Sequence, residues 1–256
     1  MKHWQFSKDG GFRQYEFGTG TLYVVQRMRT RDNKVVYAED YLDILNNTFQ
    51  SLTGKPTTLT VKTIEDVCSQ LLTIGNYTPG SCHIIEIAYD MDHNFAVRVV
   101  ETSIYKTLSL RAVRPVAQMF YFAHKELNLP TSAAITSNEL FRHMARLQDA
   151  DIPVYVDIDG CVESVDGASP IIVQGRNITI SANIESVEVL TVLEALQNLP
   201  NYNLHFGSIS VSDVMTADEF FYVDYRGITA VQSMSGHMYS DNIPTMALRA
   251  LNFNLQ

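Results

Sequence analysis

Apolar and polar residues alternate through the start of "GTLYVVQRMRTRDNKVVYAEDYLDILNNTFQSLTG", which predicts a strand, a turn at Asp32 and Asn33, and a second short strand. The period then lengthens. Tyr41, Leu42, Leu45, Phe49 and Leu52 fall on one face of a helix, and Gly54 is its natural stop because a residue without Cβ accepts the left-handed conformation. "TIEDVCSQLLTIG" predicts a second amphipathic helix with Thr63 as N-cap, Asp66 three residues on, Ile64, Val67, Leu71 and Leu72 inward, and Gly75 at its end. In "CHIIEIAYDMDHNFAVRVVE" two runs rich in β-branched residues flank a polar turn, the pattern of a hairpin. The N-terminal half therefore reads as α+β.

Regularity fades over 109–130, and this stretch is expected to connect two lobes, 1–115 and 116–256. Beyond it the pattern predicts a helix over 138–147, a strand over 153–157, a turn at Asp159 and Gly160, and strands over 170–173 and 177–180 around Gly175. A helix over 186–196 follows, with Val187, Leu190 and Leu193 on one stripe. "FGSISVSDVMTADEFFYVD" and "GITAVQSMSGHMYSD" complete the sheet, and a helix follows Pro244.

Composition narrows the functional classes. At 256 residues, 46% hydrophobic and 18% charged, with no apolar run of membrane length, the chain is expected to be a soluble cytoplasmic protein with one large core or two modest ones. Nineteen basic against 28 acidic residues give a net charge of -9, which repels phosphate backbones; nucleic acid and membrane are not expected partners. Cys68, Cys82 and Cys161 are odd in number and unrelated in spacing, so they predict neither a disulfide framework nor a metal site.

Three stretches resemble the fold-type IV family of pyridoxal-phosphate enzymes, which includes branched-chain and D-amino-acid aminotransferases and aminodeoxychorismate lyase. "FGTGTLYVVQRMR" is similar to the family's glycine turn and arginine-ended strand. "DIDGCVES" is similar to its strand, glycine turn and cofactor-facing glutamate, and "MTADEFFYVDYRGITAVQSMSG" to its Ala-Asp-Glu segment and closing strands. The resemblance implies an α+β, two-lobe D-amino-acid aminotransferase-like fold, a cleft between the lobes, and a homodimer. It also implies a lysine near Thr131, where "LPTSAAITSN" has none; the nearest upstream is Lys125, and no lysine follows it. That amine holds the cofactor and moves the substrate proton. The family's phosphate-binding arginine reads here as Asp43, its phosphate-cradling helix start falls near Glu185, and its hydroxyl pair falls within "VDYRG". Glu163 keeps the ring-nitrogen role.

The expected chain is thus a divergent family member that does not hold pyridoxal phosphate and that binds or transforms a small, anionic carboxylate or aromatic ligand in the inter-lobe cleft. Its ligand-binding candidates are Arg27, Arg29, Thr131, Glu163 and Arg226. Arg226 suits a carboxylate because a guanidinium pins it with two parallel bonds. Catalytic candidates are Glu163, Cys161 and His205, each with a structural alternative. Two further readings stand beside this one: a pyridoxal-phosphate aminotransferase or lyase with the lysine supplied by Lys125 or Lys106, and a cofactor-independent biosynthetic enzyme.

Overall fold

The computed structural model describes residues 3–6, 12–18, 20–77, 81–103, 108–121 and 128–253. They form a mixed α+β chain of two compact units: 1–106 with 130–133, and 107–129 with 134–256.

The first unit is a six-stranded sheet in the order β2-β1-β6-β5-β3-β4. Its strands are β1 (His3–Phe6), β2 (Phe12–Tyr15), β3 (Tyr23–Arg31), β4 (Lys34–Val35), β5 (Cys82–Asp90) and β6 (Phe95–Ser103), with helices α1 (Ala38–Thr53) and α2 (Val61–Ile74). Asp32 and Asn33 turn the first hairpin with left-handed φ of 50° and 63°, a region asparagine and aspartate tolerate. On β5, Tyr89 meets Phe49 of α1 edge-on at 5.0 Å, so the odd-numbered positions face the helices and the even-numbered ones, Glu86 among them, face away. Helix α1 stops as read, with Gly54 at φ 73° donating to the Gln50 carbonyl at 2.8 Å, although Leu52 is exposed. Thr60, not Thr63, caps α2: its hydroxyl accepts from the Thr63 N–H at 3.1 Å.

In the second unit two five-stranded sheets, β12-β11-β10-β13-β14 and β16-β15-β7-β8-β9, pack face to face. The first comprises β10 (Pro170–Gln174), β11 (Asn177–Ile180), β12 (Asn203–Phe206), β13 (Glu219–Asp224) and β14 (Gly227–Ala230). The second comprises β7 (Val116–Phe120), β8 (Ile152–Val156), β9 (Val162–Val165), β15 (Ser233–Met234) and β16 (His237–Met238). Val154, Val156, Val162, Phe220 and Tyr222 fill the space between the sheets. One position along β13, Phe221 and Val223 point the other way and pack with Val192 and Leu196 of α4 (Val187–Gln197) and Ile243 of α6 (Asn242–Phe253). On the outer side of the second sheet, α3 (Ser132–Arg146) sets Phe141 edge-on to Tyr155 of β8 at 5.2 Å.

Five further details depart from the pattern reading. Strand β7 lies inside the stretch read as irregular. Helix α3 begins at Ser132, not 138, and α4 turns Val189, Val192 and Leu196 inward while Leu190 is exposed. The short helix α5 (Val211–Thr216) interrupts the segment read as strand, started by a reciprocal capping box between Ser210 and Asp213. Helix α6 begins at Asn242, with Pro244 in its first turn, where its missing N–H leaves no bond unmade.

Candidate functional site

In the second unit, charge gathers around Asp166, whose carboxylate is 1% exposed. Asp166 follows β9 in the left-handed conformation, at φ 53°, ahead of Gly167 at 81°; this tight turn aims its side chain at α3 and at the β13–β14 turn. Arg142 of α3 grips it with Nε at 2.5 Å and Nη2 at 2.8 Å. Arg226 donates to it from the other side at 2.7 Å and also binds Asp224, through Nε at 2.7 Å. The Tyr222 hydroxyl and the Asn138 amide add bonds of 3.2 Å each. Burial alone raises the Asp166 carboxyl, but Arg142 and Arg226 outweigh it and hold the group below its ordinary range. Arg142 also pairs with Glu139 at 2.5 Å, so the two arginines meet three carboxylates and the cluster carries no positive excess. It can lock the turn, the helix and the strand together; the carboxylates that Arg226 pins are the chain's own.

A different arrangement stands in the first unit. Arg27 of β3, Glu86 of β5 and Arg98 of β6 are direct cross-strand neighbours. Glu86 is 2% exposed at its side chain and takes Arg27 Nε at 2.9 Å and an Arg98 Nη at 2.5 Å. Arg29, on the same face as Arg27, donates to Cys82 Sγ at 3.1 Å.

The remaining candidates scatter. Thr131 is buried, 3% exposed, where 130–132 runs along β3: the Pro130 carbonyl accepts from Val25 at 2.7 Å, and the Ser132 hydroxyl accepts from Tyr23 at 3.2 Å. Glu163 sits unpaired at a β-bulge between β8 and β9, buried, and accepts from the Asn128 amide at 2.8 Å. Partial burial and the carboxylates of Asp157, Glu163, Asp159 and Asp213 push the Cys161 thiol upward, against the thiolate that a nucleophile needs. His205 lies exposed on β12, in the other sheet from Glu163. Asp43 and Glu185 are both exposed. Lys106 and Lys125 lie outside the described residues.

Nothing local in the sequence links Asp166, Arg142 and Tyr222; Arg142 reads there only as part of a polar helix face with His143 and Arg146. Glu86 and Arg98 carried a readable signal: counting outward from the turn of the β5–β6 hairpin, Tyr89 pairs with Phe95 and Glu86 with Arg98. Among the described residues, no three metal-ligating side chains converge, and no helix is long and apolar enough to cross a membrane.

Among solved structures, a branched-chain aminotransferase from Thermoproteus uzoniensis with norvaline superposes with a TM-score of 0.78 at 15% identity, covering 98% of this chain and 93% of that one. The fold is that of the fold-type IV aminotransferases. An aminotransferase from Brucella abortus bound to pyridoxal phosphate gives 0.76 at 14% identity over 100% and 99% of the two chains. A putative 4-amino-4-deoxychorismate lyase from Legionella pneumophila gives 0.73 at 14% over 94% of each. No protein-family model and no curated protein matches the sequence.

Proposed function

We propose that this chain uses the fold-type IV scaffold without pyridoxal phosphate and binds a small carboxylate-bearing or aromatic ligand. The observation that carries the reading is Thr131. This residue precedes α3, as the family resemblance requires of the lysine, and it is buried and pinned along β3 with a hydroxyl in place of an amine. A hydroxyl forms no Schiff base. The phosphate contacts point the same way. Arg226, in the segment matching the hydroxyl pair, is engaged with Asp166 and Asp224, and the start of α4 is capped by Ser186 with Glu188 in its first turn. An anion there would meet a carboxylate where the helix dipole alone would favour it. The residues present do not fit the cofactor.

The competing reading is a pyridoxal-phosphate aminotransferase or aminodeoxychorismate lyase. It draws support from the near-complete overlap with the cofactor-bound Brucella protein, and it requires Lys106 or Lys125 to supply the amine. A third, cofactor-independent catalysis, would rest on Glu163 as the acid or base. The chain is further proposed to be a cytoplasmic homodimer. The functional test is absorbance during titration with pyridoxal phosphate, followed by borohydride reduction and intact mass. One stoichiometric adduct on a single lysine would overturn the reading; an unchanged visible spectrum supports it.

A further inference from the structure

Helix α3 is held to its own sheet along one side. Phe141 meets Phe120 of β7 and Tyr155 of β8 edge-on at 5.1 and 5.2 Å, Ala145 is buried, and Asn138 and Arg142 reach Asp166. The opposite side is apolar and open. Leu140 and Met144 lie four positions apart, and Leu147 follows in the next turn, where its N–H still donates to the His143 carbonyl at 3.2 Å. At that spacing the three form one stripe, and all three are exposed. Contiguous apolar surface of this kind marks a place where another molecule sits, since leaving it in water forgoes the gain of burying it.

The charges beside the stripe say which partner fits. Glu139 and Arg146 are seven positions apart, close to two helical turns, so they stand on the same flank. Arg146 is exposed, and Glu139 binds Arg142 through Oε1 with most of its side chain in solvent, which leaves Oε2 to accept from another donor. Two copies of one helix that pair antiparallel about a two-fold axis bring like flanks together, and every contact between copies then occurs twice. Glu139 of each copy comes opposite Arg146 of the other, while Leu140 of each packs toward Met144 and Leu147 of the other. The acid and the base are spaced so that the same helix, reversed, completes both pairs.

We propose that a second copy of this chain docks on the stripe, the two α3 helices antiparallel, with Leu140, Met144 and Leu147 as the seam and Glu139–Arg146 pairs along its flank. The assignment rests on the homodimer proposed above and names its surface. Sedimentation equilibrium of the full chain at neutral pH tests it. Leu147→Gln is expected to weaken the dimer about ten-fold or more, since the change falls on both copies, and to leave the far-UV circular dichroism unchanged. Glu139→Arg and Arg146→Glu each put two like-charge pairs on the seam and should weaken the homodimer about five-fold or more. Mixed in equal amounts, the two variants regain both complementary pairs and should form a heterodimer close to wild-type strength. Because Glu139→Arg also takes a partner from Arg142, Arg146→Glu and Leu147→Gln decide if that variant does not fold. A wild-type dimer that ignores Leu147→Gln and Arg146→Glu overturns this surface and leaves the homodimer standing. A wild-type monomer at micromolar concentration overturns the homodimer and this surface with it, and gives the stripe to a different partner. A mixture of the two charge variants that pairs no more tightly than either alone overturns the antiparallel arrangement and so the proposal.

Discussion

Replacing Asp166 with alanine leaves Arg142 and Arg226 facing each other across the space of one lost carboxylate. The side chain is 1% exposed and accepts three guanidinium bonds, of 2.5, 2.8 and 2.7 Å. Removing one partner of a buried ion pair costs about 3–5 kcal/mol, because the charge left behind is still out of water. Here Arg226 keeps Asp224 and Arg142 keeps Glu139, so the lower end applies, about 3 kcal/mol. For a protein of this size each kcal/mol moves the melting temperature by about 2–4 °C, which gives a fall of about 6–12 °C at pH 7. The pH dependence supplies a second readout. Since the folded carboxyl lies below its ordinary value, its contribution is present above the unfolded pKa of about 3.9 and is lost as pH falls through the folded one. The gap between wild type and Asp166→Ala should therefore narrow in acid. A variant that melts within about 1 °C of wild type at pH 7, or a gap constant from about pH 7 to pH 3, would refute the reasoning.

Gly227→Ala should destabilise by about 2–4 kcal/mol in urea unfolding, because φ is 123° and a Cβ would stand 2.2 Å from the Ser109 carbonyl oxygen, which is backbone and cannot swing aside. Thr131→Lys alone should give no visible-range band with pyridoxal phosphate, since Arg226 remains bound to Asp166 and Asp224; a band would show that the amine was the only missing part. Light scattering should report a dimer at micromolar concentration. Leu140 and Met144 on α3 and Leu147 just past its end are 57%, 36% and 74% exposed, an apolar patch that a monomer would leave in water, and a monomeric mass would contradict the expectation.

Elements with one buried face were legible. Strand β3 and helices α1 and α2 announce themselves by period because each is apolar mainly where it packs, whereas β5, buried along its whole length, is legible by its run of β-branched residues. Helix α4 is apolar nearly all round, so which stripe turns inward is decided by its partners Phe221 and Ile243, and Leu190 was assigned to the wrong side. Strand β7 escaped because "VAQMF" has only Ala117 fully buried; its place between β15 and β8 is a long-range fact. The same distinction runs through the candidate sites. Thr131 could be found by counting back from Gly160, and Glu86–Arg98 by counting out from a turn. Asp166 could not, because its partners lie 24 and 60 residues away and meet only after both sheets have formed.

The central claim, that this scaffold works without pyridoxal phosphate, is tested most directly by titrating the full chain with the cofactor at neutral pH, reducing with borohydride and mapping any label by peptide mass. The account predicts no visible-range adduct band and only scattered, substoichiometric labelling of surface lysines. A single stoichiometric label on Lys125 or Lys106 would contradict it and return the aminotransferase reading to first place.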